Sequence, residues 1–259
     1  MIELRGIYHV FTRSERAVLT LNDVSLRIGE SDFVAIVGPS GCGKSTLLNL
    51  VAGLLKPIRG EVIYAGQPVR SINTGVGYMT QKDTLLPWRT VEANIALPLE
   101  VQGVPRDERR EKARQMSDLV QLRGFENAYP HELSGGMRKR VALARSWVYD
   151  PETLLMDEPF GALDAQTRLV LQDELLKLWS RRRKTVVFVT HDLGEAISLA
   201  TRVLVMSRRP GRIKLERAVT FAHPRDIFKI RFTSEFAQLH EELWTNLREE
   251  VLTGDGRDA

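Results

Sequence analysis

The residues whose types and spacing are best suited to chemistry lie at 38–45. This segment reads Gly-Pro-Ser-Gly-Cys-Gly-Lys-Ser and fills every fixed position of the phosphate-binding loop G-x-x-x-x-G-K-[ST]. In such a loop the glycines let backbone N–H groups turn towards phosphates, while Lys44 offers a positive charge and Ser45 a hydroxyl ligand for Mg²⁺. The apolar run at 33–37 and the helix-like run at 46–52 supply the strand and the helix that the loop joins. The segment therefore predicts binding of a nucleoside triphosphate by Gly38, Pro39, Ser40, Gly41, Cys42, Gly43, Lys44, Ser45 and Thr46.

A second candidate anion site begins at Ser134. The sequence Ser134-Gly135-Gly136-Met137 precedes a stretch with helical periodicity of apolar residues at 141–144. Ser134 is predicted to be the N-cap of this helix, and the two glycines leave the N–H groups of the first turn uncovered. A helix start of this kind predicts a second site for phosphate.

Three polar side chains follow two apolar runs that are predicted to be buried parallel strands. Asp157 and Glu158 follow the run at 153–156, and His191 follows the run at 185–190. Ligands bind at the carboxyl edge of such sheets. Taken alone, the two carboxylates could cap a solvated helix and His191 could be a histidine at the margin of the core. Their order after a complete phosphate loop favours a hydrolytic site.

The order and spacing of these segments, over about residues 2–224, resemble the ATPase subunits of ABC transporters. The resemblance implies that 38–45 is the Walker A loop and that residues 133–137 form the signature motif. Ser134, Gly135 and Gly136 would then contact the phosphates of an ATP molecule. Asp157 would be the Walker B aspartate. The implied ligands of Mg²⁺ are Ser45, Gln81 and Asp157, and the implied catalytic residues are Glu158, His191 and Lys44.

The resemblance also bears on positions outside these motifs. Gln81 corresponds to the glutamine of the Q-loop, and Asp164 lies in the D-loop. The aromatic residue that stacks on adenine falls on Phe11, with Tyr8 as the alternative. Met137 departs from the family because this place is usually glutamine, which puts a polar contact from the fifth signature side chain in doubt.

The resemblance also implies partners. Two copies of the chain would face each other head to tail, so that each signature motif covers the ATP on the other Walker A loop. The segments at 85–89, 160–164 and 208–213 look like those of nitrate, sulfonate and taurine importers. Such importers use a separate permease and a solute-binding protein outside the membrane. They place this subunit at the cytoplasmic face, while an exporter or lipid-extraction system is the alternative.

The Q-loop region is the expected contact with the permease. Residues 86–88 place bulky apolar groups in a loop. Trp88 either receives a helix of the permease or is buried as an anchor of the helical subdomain.

Composition agrees with a peripheral subunit rather than a nucleic-acid or membrane-spanning protein. The 259 residues carry a net charge of +4 with acidic residues spread throughout, which predicts no nucleic-acid partner. No run approaches ~18 apolar residues, and the first residues lack the pattern of a signal peptide. Cys42 is the single cysteine, which excludes an internal disulfide and suits a reducing compartment. The basic run at 181–184 is interpreted as the solvated end of a helix rather than a nucleic-acid patch.

The predicted fold is α/β: a P-loop NTPase core with a mostly parallel sheet, an N-terminal antiparallel β-subdomain and an inserted helical subdomain. The predicted ATPase domain spans 1–222, with the helical insertion at about 82–133, and a helical tail follows at 223–259. In the insertion, the expected apolar face consists of Ala113, Met116, Leu119 and Val120. In the tail, it consists of Phe232, Phe236, Leu239, Leu243, Trp244 and Leu247. The last residues, 254–259, are expected to be frayed.

Overall fold

A computed structural model describes residues 1–13, 16–223 and 225–252. The expected frayed end at 254–259 lies outside the described residues. The strands are β1 (Ile2–Arg13), β2 (Arg16–Ile28), β3 (Phe33–Val37), β4 (Arg59–Tyr64), β5 (Gln67–Pro68), β6 (Val76–Met79), β7 (Thr153–Asp157), β8 (Thr185–Val189), β9 (Arg202–Met206) and β10 (Ile213–Ala218). The helices are α1 (Lys44–Val51), α2 (Val91–Val101), α3 (Arg106–Leu119), α4 (Gly135–Trp147), α5 (Ala165–Arg181), α6 (Leu193–Leu199), α7 (Ile227–Ile230) and α8 (Ser234–Leu252).

The centre of the fold is a six-stranded sheet in the order β10-β9-β3-β8-β7-β6. The strands from β9 to β6 pair in parallel, and every residue of β3 and β8 is buried, as expected for a sheet covered on both faces. The predicted parallel core is thus confirmed. The short strand β6 and the antiparallel edge strand β10 were not predicted. The strand β10 gives little signal, because it is mostly exposed and lacks an apolar run.

The predicted antiparallel β-subdomain is also confirmed. Its four strands lie in the order β2-β1-β4-β5, with every pairing antiparallel. One apolar core fills the space between this sheet, α1 and one face of the central sheet. A second core covers the opposite face with residues of α2, α4, α5, α6 and α8.

The apolar face of α3 is narrower than the sequence predicts. Ala113 and Val120 are fully buried and Met116 is partly buried, but Leu119 is 44% exposed. The expectation for Leu119 is therefore wrong. Six residues after Ala113, it falls beside the stripe that packs on the core, and Ser117 takes the buried place on the other side of that stripe.

The tail packs back on the ATPase core, as predicted, through α8 against α6 and β9. Phe236, Leu243 and Leu247 are buried, and Leu239 packs against the same core. Two expected core residues are exposed instead, Phe232 at 89% and Trp244 at 45%. Phe232 precedes the first residue of α8, and Trp244 is turned about 100° away from Leu243 on the helix.

This difference between two neighbouring side chains gives a stability prediction. Leu243→Ala is expected to lower the free energy of unfolding by about 2–5 kcal/mol, because it leaves a cavity in the core. Trp244→Ala should cost about 1 kcal/mol or less, because no comparable cavity forms. Urea unfolding of the two variants and the wild type measures both values. Equal losses would contradict the described packing of α8.

The basic run at 181–184 is only partly a solvated helix end. Lys184 is buried, and its Nζ donates to the carbonyl O of Pro151 at 2.6 Å and lies 2.7 Å from the Asp150 carboxylate. Its carbonyl O accepts from Trp179 Nε1 at 2.7 Å. The expectation of full solvation is wrong for Lys184, because its ammonium group binds the residues before β7 while its carbonyl group binds Trp179 on α5.

Candidate functional site

A cavity of about 650 Å³ lies over the loop that joins β3 to α1. Gly43 is the N-cap of α1 at φ 110°, and a Cβ atom built on it would lie 2.6 Å from Leu21 Cδ2. Only glycine fits this place, because both the left-handed backbone and the close approach of β2 exclude a side chain. The residues that line the cavity are Phe11, Thr12, Val18, Thr20, Ser40, Gly41, Gly43, Lys44, Ser45, Thr46, Gln81, Glu158 and Arg209.

Lys44 is held within the loop. Its Nζ donates to the carbonyl O atoms of Gly38 and Pro39, each at 2.8 Å, and the residue is buried. These two bonds use two of the three ammonium donors, which leaves one for a ligand. Cys42 is buried beside it, and burial raises the pKa of its thiol. The loop therefore offers a fixed positive charge and no ready thiolate.

Ser45 and Asp157 meet below the loop. The Ser45 side chain lies beside the Asp157 carboxylate at the end of β7. Burial raises the pKa of Asp157, and the neighbouring Ser45 hydroxyl and the charge of Lys44 oppose this shift. A half-buried carboxylate beside a hydroxyl is a suitable ligand for a cation.

Glu158 is the point where three elements converge. Its Oε2 atom accepts from Gln81 Nε2 at 3.2 Å and lies 3.3 Å from His191 Nδ1. The backbone of Glu158 is left-handed, with φ 43°, and its N–H donates to Val189 O at 2.9 Å. A non-glycine residue in this conformation costs about 1–3 kcal/mol and is typical of functional sites. The side chains predicted from two strand ends and the Q-loop are thus brought together.

A buried network lies behind His191. Glu195 accepts from Thr190 Oγ1 at 2.5 Å and from Gln172 Nε2 at 2.8 Å. Burial raises the pKa of the Glu195 carboxyl, opposed by these hydrogen bonds. Asp192 caps α6 and its N–H donates to Thr190 Oγ1 at 3.1 Å. The residues on both sides of His191 are therefore fixed, while the imidazole itself faces the solvent.

Asp164 does not line the cavity. It is the N-cap of α5 and accepts from Thr167 N at 3.0 Å, a bond that lowers the pKa of its carboxyl. Arg168, one turn later, donates to Leu163 O at 2.9 Å and approaches the Asp192 carboxylate at 3.5 Å. The D-loop is thereby tied to the segment after His191.

The signature segment is also outside this cavity. Ser134 caps α4 by accepting from Met137 N at 3.2 Å, as predicted, and is exposed. A Cβ atom on Gly136 would lie 2.7 Å from Thr167 Cγ2, so that glycine is needed where α4 approaches α5. Met137 packs against the core, which gives this side chain a packing role in place of a polar contact. The helix start is therefore presented to the outside of the chain.

The aromatic candidates also differ in position. Phe11 lines the cavity and is 44% exposed, whereas Tyr8 lies opposite Arg59 in the β1–β4 pairing and does not line it. An exposed ring at the cavity wall suits stacking on a flat ligand.

Sequence reasoning missed three cationic side chains, two on α4 and one at the cavity. On α4, Lys139 Nζ donates to Gln81 O at 2.5 Å, and Arg145 Nη2 donates to Asp83 O at 2.8 Å. These bonds connect the signature helix to the Q-loop, and no periodicity of the cations on α4 indicates them. The third is Arg209, which lines the cavity although no phosphate-loop motif includes it. Within the described residues, no helix is long and apolar enough to cross a membrane.

The comparisons with known proteins agree on one family. The ABC transporter family profile matches residues 21–161. An uncharacterized ABC transporter ATP-binding protein of Methanocaldococcus jannaschii is 45% identical over 97% of this chain and 92% of its own length. A taurine import ATP-binding protein of Rhizobium johnstonii is 46% identical over 89% of the chain and 90% of its own length. An aliphatic sulfonates import ATP-binding protein of Bacillus cereus is 42% identical over 86% of the chain and 88% of its own length.

Solved structures give the same result. An ATP-binding cassette in a dimeric post-hydrolysis state, bound to ADP and Pi, is 32% identical and aligns with a TM-score of 0.76 over 86% of this chain and 100% of its own. The chain belongs to the ABC transporter family, as an ATP-binding, ATP-hydrolysing subunit that resembles those of nitrate, sulfonate and taurine importers.

Proposed function

We propose that this chain powers uptake of a small solute by hydrolysing ATP in the cavity over residues 38–46 and passing the resulting motion to a separate permease. The observation that carries the hydrolytic part is the convergence of Gln81 and His191 on one oxygen of Glu158 at the cavity wall. This arrangement places a carboxylate where a water molecule can be polarised for attack on the γ-phosphate.

Each group around ATP has a distinct task. Glu158 accepts the proton of the attacking water, and His191 and Gln81 hold that carboxylate in place. Lys44 and the amides of the loop stabilise the charge that develops on the phosphoryl group. Phe11 stacks on the adenine from the cavity wall.

The residues present fit Mg²⁺. This ion is usually held by one or two carboxylates together with substrate phosphates, and Asp157 with Ser45 forms such a partial set. Gln81 lines the same cavity and would add an amide oxygen. When bound, Mg²⁺ would neutralise charge on the phosphates. Within the described residues, no group of three or more His, Cys, Asp or Glu side chains could hold a metal alone.

Ser134 gives the reason for a dimer. Its helix start is exposed and lies outside the cavity of its own chain. A second copy turned head to tail would place Ser134, Gly135 and Gly136 on the γ-phosphate of the first copy's ATP. Hydrolysis would remove this link, so the two copies would separate. The dimeric solved relative supports this proposal.

The permease contact is proposed at the loop after Gln81. Asn94 is fully buried, and its Nδ2 donates to the carbonyl O atoms of Leu86, Arg89 and Thr90 at 2.9–3.1 Å. The loop is therefore rigid, and it holds Trp88 outwards at 71% exposure. The alternative of a buried Trp88 anchor is wrong. A large apolar ring on a rigid loop fits a pocket on a partner helix.

Trp88→Ala is expected to weaken binding of the chain to its permease by about 1–4 kcal/mol, because an interface anchor is lost. ATP binding should not change, since Trp88 does not line the cavity. Affinity for the detergent-solubilised permease and for ATP would be measured in parallel. Phe232→Ala, which removes another exposed ring, is the control. Equal permease affinity of Trp88→Ala and wild type would exclude this contact.

The direction of transport and the solute come from the relatives alone. Two of them are named as taurine and aliphatic sulfonate import proteins, which supports a nitrate-, sulfonate- or taurine-like solute. The subunit would then lie at the cytoplasmic face of the membrane, with a binding protein on the other side. The test reconstitutes this chain with its permease and binding protein in vesicles and follows labelled solute. Transport away from the binding protein, or without it, would favour an exporter instead.

A further inference from the structure

The segment at 207–212, which connects β9 to β10, brings a second cation to the nucleotide cavity. Arg209 lines the cavity, and its Nε and Nη2 atoms donate to Gly41 O at 3.2 and 3.1 Å. Lys44 is the other cationic side chain among the described residues of the cavity wall. The phosphate loop is thus flanked by a guanidinium that its own motif does not supply.

Backbone contacts hold this segment against the loop. Gly211 N donates to Thr20 O at 2.8 Å, and Gly211 O accepts from Asn22 N at 3.0 Å. A Cβ atom on Gly211 would lie 2.1 Å from Cys42 O, so the segment packs directly on the loop backbone. Thr20 itself lines the cavity. The backbone two residues after Arg209 is therefore held between β2 and the loop.

The charge of Arg209 is not neutralised by the protein. Within residues 1–13, 16–223 and 225–252, its guanidinium bonds only to the Gly41 carbonyl, and the residue is exposed. A guanidinium carries five N–H donors in a planar fork that matches phosphate oxygens. Donors on the Nη1 side are left for an anion in the cavity.

We propose that Arg209 binds the phosphate chain of the nucleotide and raises the affinity for ATP and ADP without acting in hydrolysis. It contacts Gly41 and not Glu158, Gln81 or His191, so its effect falls on binding rather than on water activation. The inference rests on the proposed function, because it requires the nucleotide to occupy this cavity.

The test measures equilibrium binding of ATP, ADP and adenosine to the full chain by competition. Arg209→Gln should weaken the binding of ATP and of ADP by about tenfold or more, and should leave the affinity for adenosine unchanged. The affinities of Arg209→Lys for ATP and ADP should lie between those of Arg209→Gln and the wild type, since the charge remains but the planar set of guanidinium donors is lost. Turnover at saturating ATP should stay at the wild-type value while KM rises with the loss of affinity. Arg212→Gln removes an exposed charge from the same segment, outside the cavity wall, and should change none of these values.

Three results would overturn the proposal. Wild-type affinity of Arg209→Gln for ATP would show that the guanidinium does not contact the nucleotide. An equal loss for adenosine would show that Arg209 only braces the loop. Equal losses of nucleotide affinity in Arg212→Gln and Arg209→Gln would show that the effect comes from net charge and not from a contact of the Arg209 guanidinium. A wild-type chain that binds no ATP would instead refute the proposed function on which the inference depends.

Discussion

Glu158→Gln is expected to reduce ATP turnover by ~10² or more while ATP binding is retained. The amide has the size of the carboxylate, and its oxygen can still accept the bond that Gln81 Nε2 now donates to Glu158 Oε2 at 3.2 Å. It cannot accept a proton from water, so the chemical step slows. Turnover is measured by phosphate release at saturating ATP, and binding by equilibrium titration.

The same variant should accumulate as an ATP-bound dimer, because the γ-phosphate that links the two copies is no longer removed. Size-exclusion chromatography with ATP would show this species. Glu30→Gln, which changes an exposed glutamate on the loop before β3, is the control and should behave as wild type. Wild-type turnover in Glu158→Gln would exclude Glu158 as the base.

The parts of the site that the sequence could predict have local causes. The glycines of the phosphate loop, the N-cap serine of α4 and the residues that follow β7 and β8 are each defined by a few neighbours in the chain. A parallel sheet then brings the carboxyl ends of its strands to one edge. That rule is enough to place Glu158 near His191, and their 3.3 Å separation agrees with it.

The parts that could not be predicted depend on contacts between distant segments. Lys139 and Arg145 bind carbonyl groups 58 and 62 residues away, and Arg209 binds one 168 residues away. Neither the periodicity of apolar residues nor the spacing of motifs indicates such hydrogen bonds. Burial on α3 also depends on distant contacts. Leu119 is exposed while Ser117 is buried, because the side chains of α3 that face the core are set by how the helix packs and not by their hydrophobicity alone.

The links from α4 have a consequence for the proposed dimer. Lys139 and Arg145 fix the Q-loop to the helix whose first turn would touch the partner's ATP. The loop that bears Gln81 also continues into the exposed Trp88. A shift of α4 on binding the second nucleotide would therefore reach the hydrolytic carboxylate through hydrogen bonds, and the permease contact along the backbone of the loop.

A mixed dimer of Lys44→Ala and Ser134→Arg chains is expected to keep hydrolysis that both homodimers lack. In the head-to-tail arrangement, the Lys44→Ala loop faces the Ser134→Arg helix, so both defects fall in one site. The other site combines an intact loop with an intact helix start. Each homodimer has one defect in both sites, because Ser134 does not line the cavity of its own chain.

Two affinity tags select the mixed dimers, and their turnover is compared with that of tagged homodimers and of a wild-type pair. One complete site should give up to half of the wild-type rate if the sites work independently. A dimer formed from Lys44→Ala and wild-type chains is the matched control, and it also keeps one complete site. If Ser134 acted within its own chain, the mixed dimer would have a defect in each site and would be as inactive as the homodimers, while the control stayed active. That result would exclude the shared site.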